Sequence, residues 1–177
     1  MRRLLLPLAA LAAAAAPAAG GAAPTKQSSA LKGHNSHAPV DVSADRIEVQ
    51  DRADRAAFSG NVVVRQGDMT MTAARVTVAY TNVGSVQIKR LDASGGVTVK
   101  SPTETARGAF GIYDLDKRII TMIGGVTLTR GDSNVNGGRL TIDLDSGRAV
   151  MDGGGAPGTT SKGGRVSGTF SVPQKQN

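Results

Sequence analysis

The chain has no cysteine and no tryptophan, and only two tyrosines, three phenylalanines and two histidines. Without thiols there are no disulfides, no thiolate metal sites and no cysteine nucleophile. So few aromatics exclude a base-stacking platform, and no nucleic-acid partner is expected despite a formal charge of +7. His34 and His37 are spaced H-x-x-H, but no further ligand stands near them, so no metal site is expected. They read as histidines of a flexible leader. Neither a Walker A sequence nor a G-x-S-x-G elbow occurs. The stretch from Gly153 to Gly158 satisfies G-x-G-x-x-G only as text, because Pro157 interrupts it and no helix follows. Asp114 with Asp116, and Asp143 with Asp145, look like paired carboxylates. Each pair sits beside a turn, where Asp is common, and no His or Lys is expected to tune it. No catalytic residue and no cofactor are expected, and the chain does not read as an enzyme.

The N-terminus opens with Met1-Arg2-Arg3, then an apolar run from Leu4 to Ala16 and small residues through Gly21. That order is the signature of an export signal, expected over residues 1–23 with cleavage near Ala18, Ala19 or Ala23. The run is short for a membrane span, although an uncleaved anchor stays open as an alternative. Residues 24–39 are polar and read as a flexible leader.

From Val40 to Gly154 the pattern becomes short apolar-alternating runs broken by turn residues. Val76, Val78 and Tyr80 alternate with Thr77 and Ala79, and Leu140, Ile142 and Leu144 with Thr141 and Asp143. Period two with a polar opposite face predicts sheets wet on one side. Breaks such as Gln66-Gly67-Asp68 and Asp145-Ser146-Gly147 suit tight turns between antiparallel strands. The pattern also recurs. Modules begin at Ala44, Ala73, Ala106 and Gly137, spaced by 29, 33 and 31 residues, and the first three run to a Gly-Asn-Val or Gly-Gly-Val element. Stacked modules bury an interior that no single copy can bury. In the third copy Gly108, Ala109 and Gly111 replace larger residues, which points to a bulge or a close backbone approach. Residues 155–177 read as a Gly/Ser-rich link, a possible last strand over Val166, Gly168, Phe170 and Val172, and a frayed tail.

Three elements in order carry a resemblance: Ser43-Ala44-Asp45-Arg46-Ile47, then Phe58-Ser59-Gly60-Asn61-Val62-Val63-Val64-Arg65-Gln66-Gly67, then Met71-Thr72-Ala73-Ala74-Arg75-Val76. Residues 40–154 resemble the LptA/OstA-like family of periplasmic lipopolysaccharide transport proteins. The resemblance implies an all-β fold, an open antiparallel β-jellyroll in which a twisted, V-shaped pair of sheets is built from repeated strand modules. It implies a periplasmic protein, exported with a cleaved signal, that binds the acyl part of lipopolysaccharide or a similar glycolipid and passes it from inner to outer membrane. The implied partners are components of the inner-membrane and outer-membrane transport complexes with related β-jellyroll domains, and further copies of the chain joined end to end. One departure is that the family's Ala-Asp pair stands as Ala44-Asp45 in the first module but as Ala73-Ala74 in the second.

The expected groove lining is Ile47, Val49, Phe58, Val62, Val64, Val76, Val78, Val97, Val99, Val126, Leu128, Leu140, Ile142 and Leu144. Composition alone fits a closed core as well, and with it a structural scaffold of the cell envelope. An uncleaved N-terminus would suit the membrane-anchored relative instead. Arg46, Arg65, Arg75, Lys89 and Arg90 are candidates to meet lipid phosphates at the groove mouth. The coupling edges are expected near Val40 to Val49 and near either Arg139 to Met151 or Arg165 to Val172.

Overall fold

The computed structural model describes Leu31, residues 34–154 and residues 164–171. The expected signal, most of the link and the last residues of the tail lie outside the described residues.

Among the described residues ten strands form one antiparallel sheet: β1 (Asp41–Ser43), β2 (Arg46–Gln50), β3 (Arg55–Gln66), β4 (Met69–Val83), β5 (Ser85–Lys100), β6 (Glu104–Asp114), β7 (Ile119–Arg130), β8 (Ser133–Asp143), β9 (Arg148–Asp152) and β10 (Ser167–Thr169). A single 3₁₀ turn, Asp51–Ala53, links β2 to β3. The order is β1-β3-β4-β5-β6-β7-β8-β10, with β2 also on β3 and β9 also on β8. The first and last strands of that path do not meet, so the sheet is open.

The long central strands share one line of irregular pairing, and β4 and β5 have a second irregularity between Ala79 and Tyr80. Pairing is broken between Ser59 and Val62, between Thr72 and Arg75, between Ser94 and Val97, between Arg107 and Phe110, and between Ile123 and Val126. Together these breaks make a crease across the sheet, as β-bulges do when they bend strands. It divides the sheet into two leaves that face each other across one apolar core. Leaf A holds β1, β10 and the strand halves on their side; leaf B holds β2, β9 and the other halves.

The recurring glycines make the crease. Gly95 and Gly124 have φ of +83° and +88°, a region that suits glycine. A Cβ on Gly95 would lie 2.6 Å from the Ala74 Cβ, and one on Gly124 would lie 2.8 Å from the Ala109 Cβ. The side chains at 74 and 109 thus require glycine at 95 and 124. At the first module Asp45 occupies the same place over Gly60, where its Oδ2 accepts from Asn61 Nδ2 at 2.8 Å. The Asp-to-Ala departure of the second module therefore falls on the crease and leaves the fold intact.

The edges combine both late alternatives. β9 closes leaf B and β10 closes leaf A, while β1 and β2 share the other side. One expectation is corrected. His34 is buried rather than part of a flexible leader, because it and its neighbours hydrogen-bond to the β3–β4 turn.

Candidate functional site

Alternation decides what faces the interior. On leaf A, Val62 and Val64 oppose Ala73 and Met71, and the row continues through Val97, Val99, Ala106, Val126 and Leu128. On leaf B, Val76 and Val78 oppose Ala93 and Leu91, and the row continues through Tyr113, Ile120, Met122, Leu140 and Ile142. Burying each aliphatic side chain contributes roughly 1.5–3 kcal/mol, so these rows hold the leaves together.

The structure places the fourteen expected lining residues on this inner side. Val62, Val64, Val76, Val78, Val97, Val99, Val126, Leu140, Ile142 and Leu144 are buried. Phe58 and Leu128 are half-buried and pack against them. Ile47 and Val49 pair with Phe58 and Ala56, so they share the inner face, yet each is 56% exposed. They stand on an edge strand that no further strand covers.

The middle of the interior is filled. Met69, Met71 and Met122 are at most 1% exposed and close the space between aliphatic neighbours. Space remains at the ends. Beside β1 and β2, Val40, Val42, Val49, Ala56, Phe58, Val78, Tyr80, Val86 and Ile88 line a largely apolar cavity of about 420 Å³, with Asp51 and Asn82 at its rim. That volume falls within the range of roughly 300–1,000 Å³ usual for small-molecule sites. Beside β10, Leu128, Arg130, Ser133, Val135 and Phe170 line a smaller one of about 190 Å³. Arg130 is held there by an ion pair to the buried Glu104. A third hollow, of about 440 Å³, follows the crease along Gly60, Asn61, Ala73, Ala74, Gly95 and Gly96, and its wall is largely backbone and small side chains.

The basic residues depart from expectation. Arg46, Arg65, Arg75 and Arg90 fall on the outward phase of their strands. Arg90 is paired with Asp92 at 2.7 Å and Lys89 with Asp116 at 3.2 Å. The strand period that turns their apolar neighbours inward turns these arginines out. The acidic turn pairs are structural. Asp114 Oδ1 accepts from the Lys117 N–H at 2.9 Å, and Asp143 Oδ1 accepts from the Asp145 and Ser146 N–H groups at 3.0 Å. Hydrogen bonds from Lys117 hold the Asp114 carboxyl below the usual range, and those from the Ser146 turn do the same for Asp143. Among the described residues no group of His, Cys, Asp or Glu is arranged to hold a metal ion.

Sequence reasoning missed Leu91, Ala93, Ile120, Met122 and Tyr113, all buried on the inner face. For Leu91 and Ala93 a signal existed, since they alternate with Arg90 and Asp92. For Ile120 and Met122 it was blurred by Ile119 and Ile123 on the outer phase. Tyr113 carries the polar exception of the interior. Its hydroxyl donates to Gln66 Oε1 at 2.8 Å, and burial pushes its ionisation up to about 12.

An unclosed antiparallel sheet, creased into two leaves around an apolar interior, defines the class: an open β-jellyroll. Residues 41–148 match the family model described as LptA/(LptD N-terminal domain) LPS transport protein, and the chain belongs to that family. An uncharacterized protein of Rhizobium meliloti (strain 1021) is 32% identical over 121 residues, covering 64% of this chain and 65% of that protein. The LPS-assembly protein LptD of Yersinia enterocolitica is 29% identical over 121 residues, covering 63% of this chain and 15% of LptD. The chain therefore spans about two thirds of one relative and a small part of the other. Among solved structures, LptH of Pseudomonas aeruginosa, the LptA-homologous periplasmic component of its lipopolysaccharide transport device, superposes with a TM-score of 0.69 at 18% identity. The match covers 78% of this chain and 99% of LptH, and it shows the shared fold.

Proposed function

We propose that this protein is a periplasmic carrier that shelters the acyl part of lipopolysaccharide between its two leaves and hands it from inner to outer membrane. Its partners in that reading are inner-membrane and outer-membrane components with related jellyroll domains, and further copies of itself joined edge to edge. One observation carries the proposal: apart from Gln66 and Tyr113, the inner rows stay apolar from the β1–β2 edge to the β9–β10 edge of a sheet that does not close. Burying acyl chains gains about 0.8 kcal/mol per CH₂ without directional bonds, so cargo can slide along such a wall. Membership of the transport family and the fold of LptH support the same reading. The filled middle favours a rival, a scaffold whose interior never opens.

Photo-crosslinking separates the two. A crosslinker at position 49 or 58, at the exposed mouth, and at position 78, in the buried row, is irradiated with purified lipopolysaccharide. The carrier reading expects adducts from all three positions. Adducts from none of them, in a protein that melts cooperatively, would leave the scaffold.

A further inference from the structure

We propose that Gln66 and Tyr113, clamped from outside by residues 34–38, form a latch that holds the two leaves shut and yields when hydrocarbon enters. The inference rests on the carrier reading and adds to it a gate.

The latch lies where the leaves meet away from the crease. Gln66 ends the inner row of leaf A, and Tyr113 belongs to the inner row of leaf B, paired with Leu91 and Ile120. The Tyr113 hydroxyl donates to Gln66 Oε1 at 2.8 Å. Among the described residues this is the one side-chain hydrogen bond that joins leaf to leaf. The buried residues around it are mostly apolar and adaptable, Met69, Met71 and Met122 among them. Apolar packing tolerates sliding; a buried hydrogen bond is directional and resists it.

The segment preceding β1 completes the device. Gln66 Nε2 donates to the carbonyls of Ser36 and Ala38 at 2.9 and 3.0 Å. His34 Nε2 lies 3.2 Å from Gln66 Oε1, and His34 Nδ1 lies 2.9 Å from Asp68 Oδ1. The Gln66 amide thus uses both of its donor hydrogens, and its oxygen accepts from Tyr113. The segment is anchored behind by Leu31, which is 3% exposed and accepts from the His34 N–H. An amide held by three hydrogen bonds at this depth is fixed in place, and it fixes Tyr113 with it.

With the latch closed, the apolar cavities described above lie near the ends of the interior. Admitting several acyl chains requires the leaves to part, and Gln66–Tyr113 must then break. Incoming hydrocarbon takes over the packing that each leaf gave the other, but it offers no partner for the amide or the hydroxyl. The latch therefore discriminates by amount: one short chain can lodge at a mouth, whereas a multi-chain amphiphile buries enough surface to force the joint.

The absence of native cysteine allows two spin labels to be placed in the full chain. Thr103→Cys sits on a leaf A turn and Lys117→Cys on a leaf B turn, both exposed. Lipid-free parent protein should give a narrow distance distribution. Gln66→Ala should widen it, and so should Tyr113→Phe, which keeps the packed ring and guards against a failure of the first variant to fold. Purified lipid A should widen the parent distribution, and it should associate about fivefold faster with Tyr113→Phe. Distributions unchanged in both variants overturn the latch, even if lipid A binds. Widened distributions with no lipid A binding in any form leave the latch standing and remove the carrier reading.

Discussion

The Cβ of Ala74 lies 2.6 Å from where a side chain on Gly95 would begin. That approach ties β4 to β5 at the crease, and it recurs one module on between Ala109 and Gly124. Gly95→Ala should therefore be costly. The positive φ costs about 1–2 kcal/mol for a residue with a Cβ, and the crowding about 1–3 kcal/mol more. A loss of about 2–5 kcal/mol in urea unfolding is expected, against little change for Gly84→Asn, whose added Cβ meets nothing within 4 Å. Equal stability of the two variants would mean that the crease is not held by this contact.

The two tyrosines give a spectroscopic handle on the interior. Tyr113 ionises at about 12 rather than 10.0, with burial the main cause. Tyr80 is also raised, by burial first and then by the charges of Asp51 and Asp54. The sign follows from the folded value lying above the unfolded one. The folded protein holds the Tyr113 proton more tightly, so this stability is complete below pH 10.0 and drains away as the pH rises toward about 12. It amounts to at most about 2–3 kcal/mol. Tyrosinate absorbance should show Tyr113 titrating late and together with unfolding. Tyr113→Phe should flatten the alkaline fall in melting temperature; an equally steep fall in that variant would assign the loss to other groups.

The edges allow a test of assembly. On an edge strand neighbouring residues alternate between bonding inward and presenting N–H and C=O outward. Of Arg46 and Ile47 on β2, one therefore presents its backbone to solvent. Placing Pro at each in turn should give one variant that keeps its melting temperature and loses association at raised concentration, read by light scattering. If both variants associate like the parent, coupling through β2 is ruled out.

Much of the inner surface was legible in the sequence because each bend preserves or resets the strand period in a regular way. On β3, β5 and β7 the crease adds two residues, Gly60-Asn61, Gly95-Gly96 and Gly124-Gly125, so Phe58 and Val62 stay in phase. On β4, β6 and β8 it adds one, Ala74, Ala109 or Gly138, and the phase flips from Met71 to Val76. The Gln66–Tyr113 bond was not legible, since its partners are 47 residues apart and meet only once the leaves close. His34 was misread for the same reason: a polar segment looks mobile until its hydrogen-bond acceptors are brought to it. The arginines were assigned by charge, whereas strand phase decides which way they point.

The border strands are short: five residues for β2 and β9, three for β1 and β10, interrupted at the crease. A neighbour added to such a border gains few backbone bonds before it meets a gap. Growth by strand addition is thus kept weak and reversible, which guards a protein with two free borders against running on into fibrils.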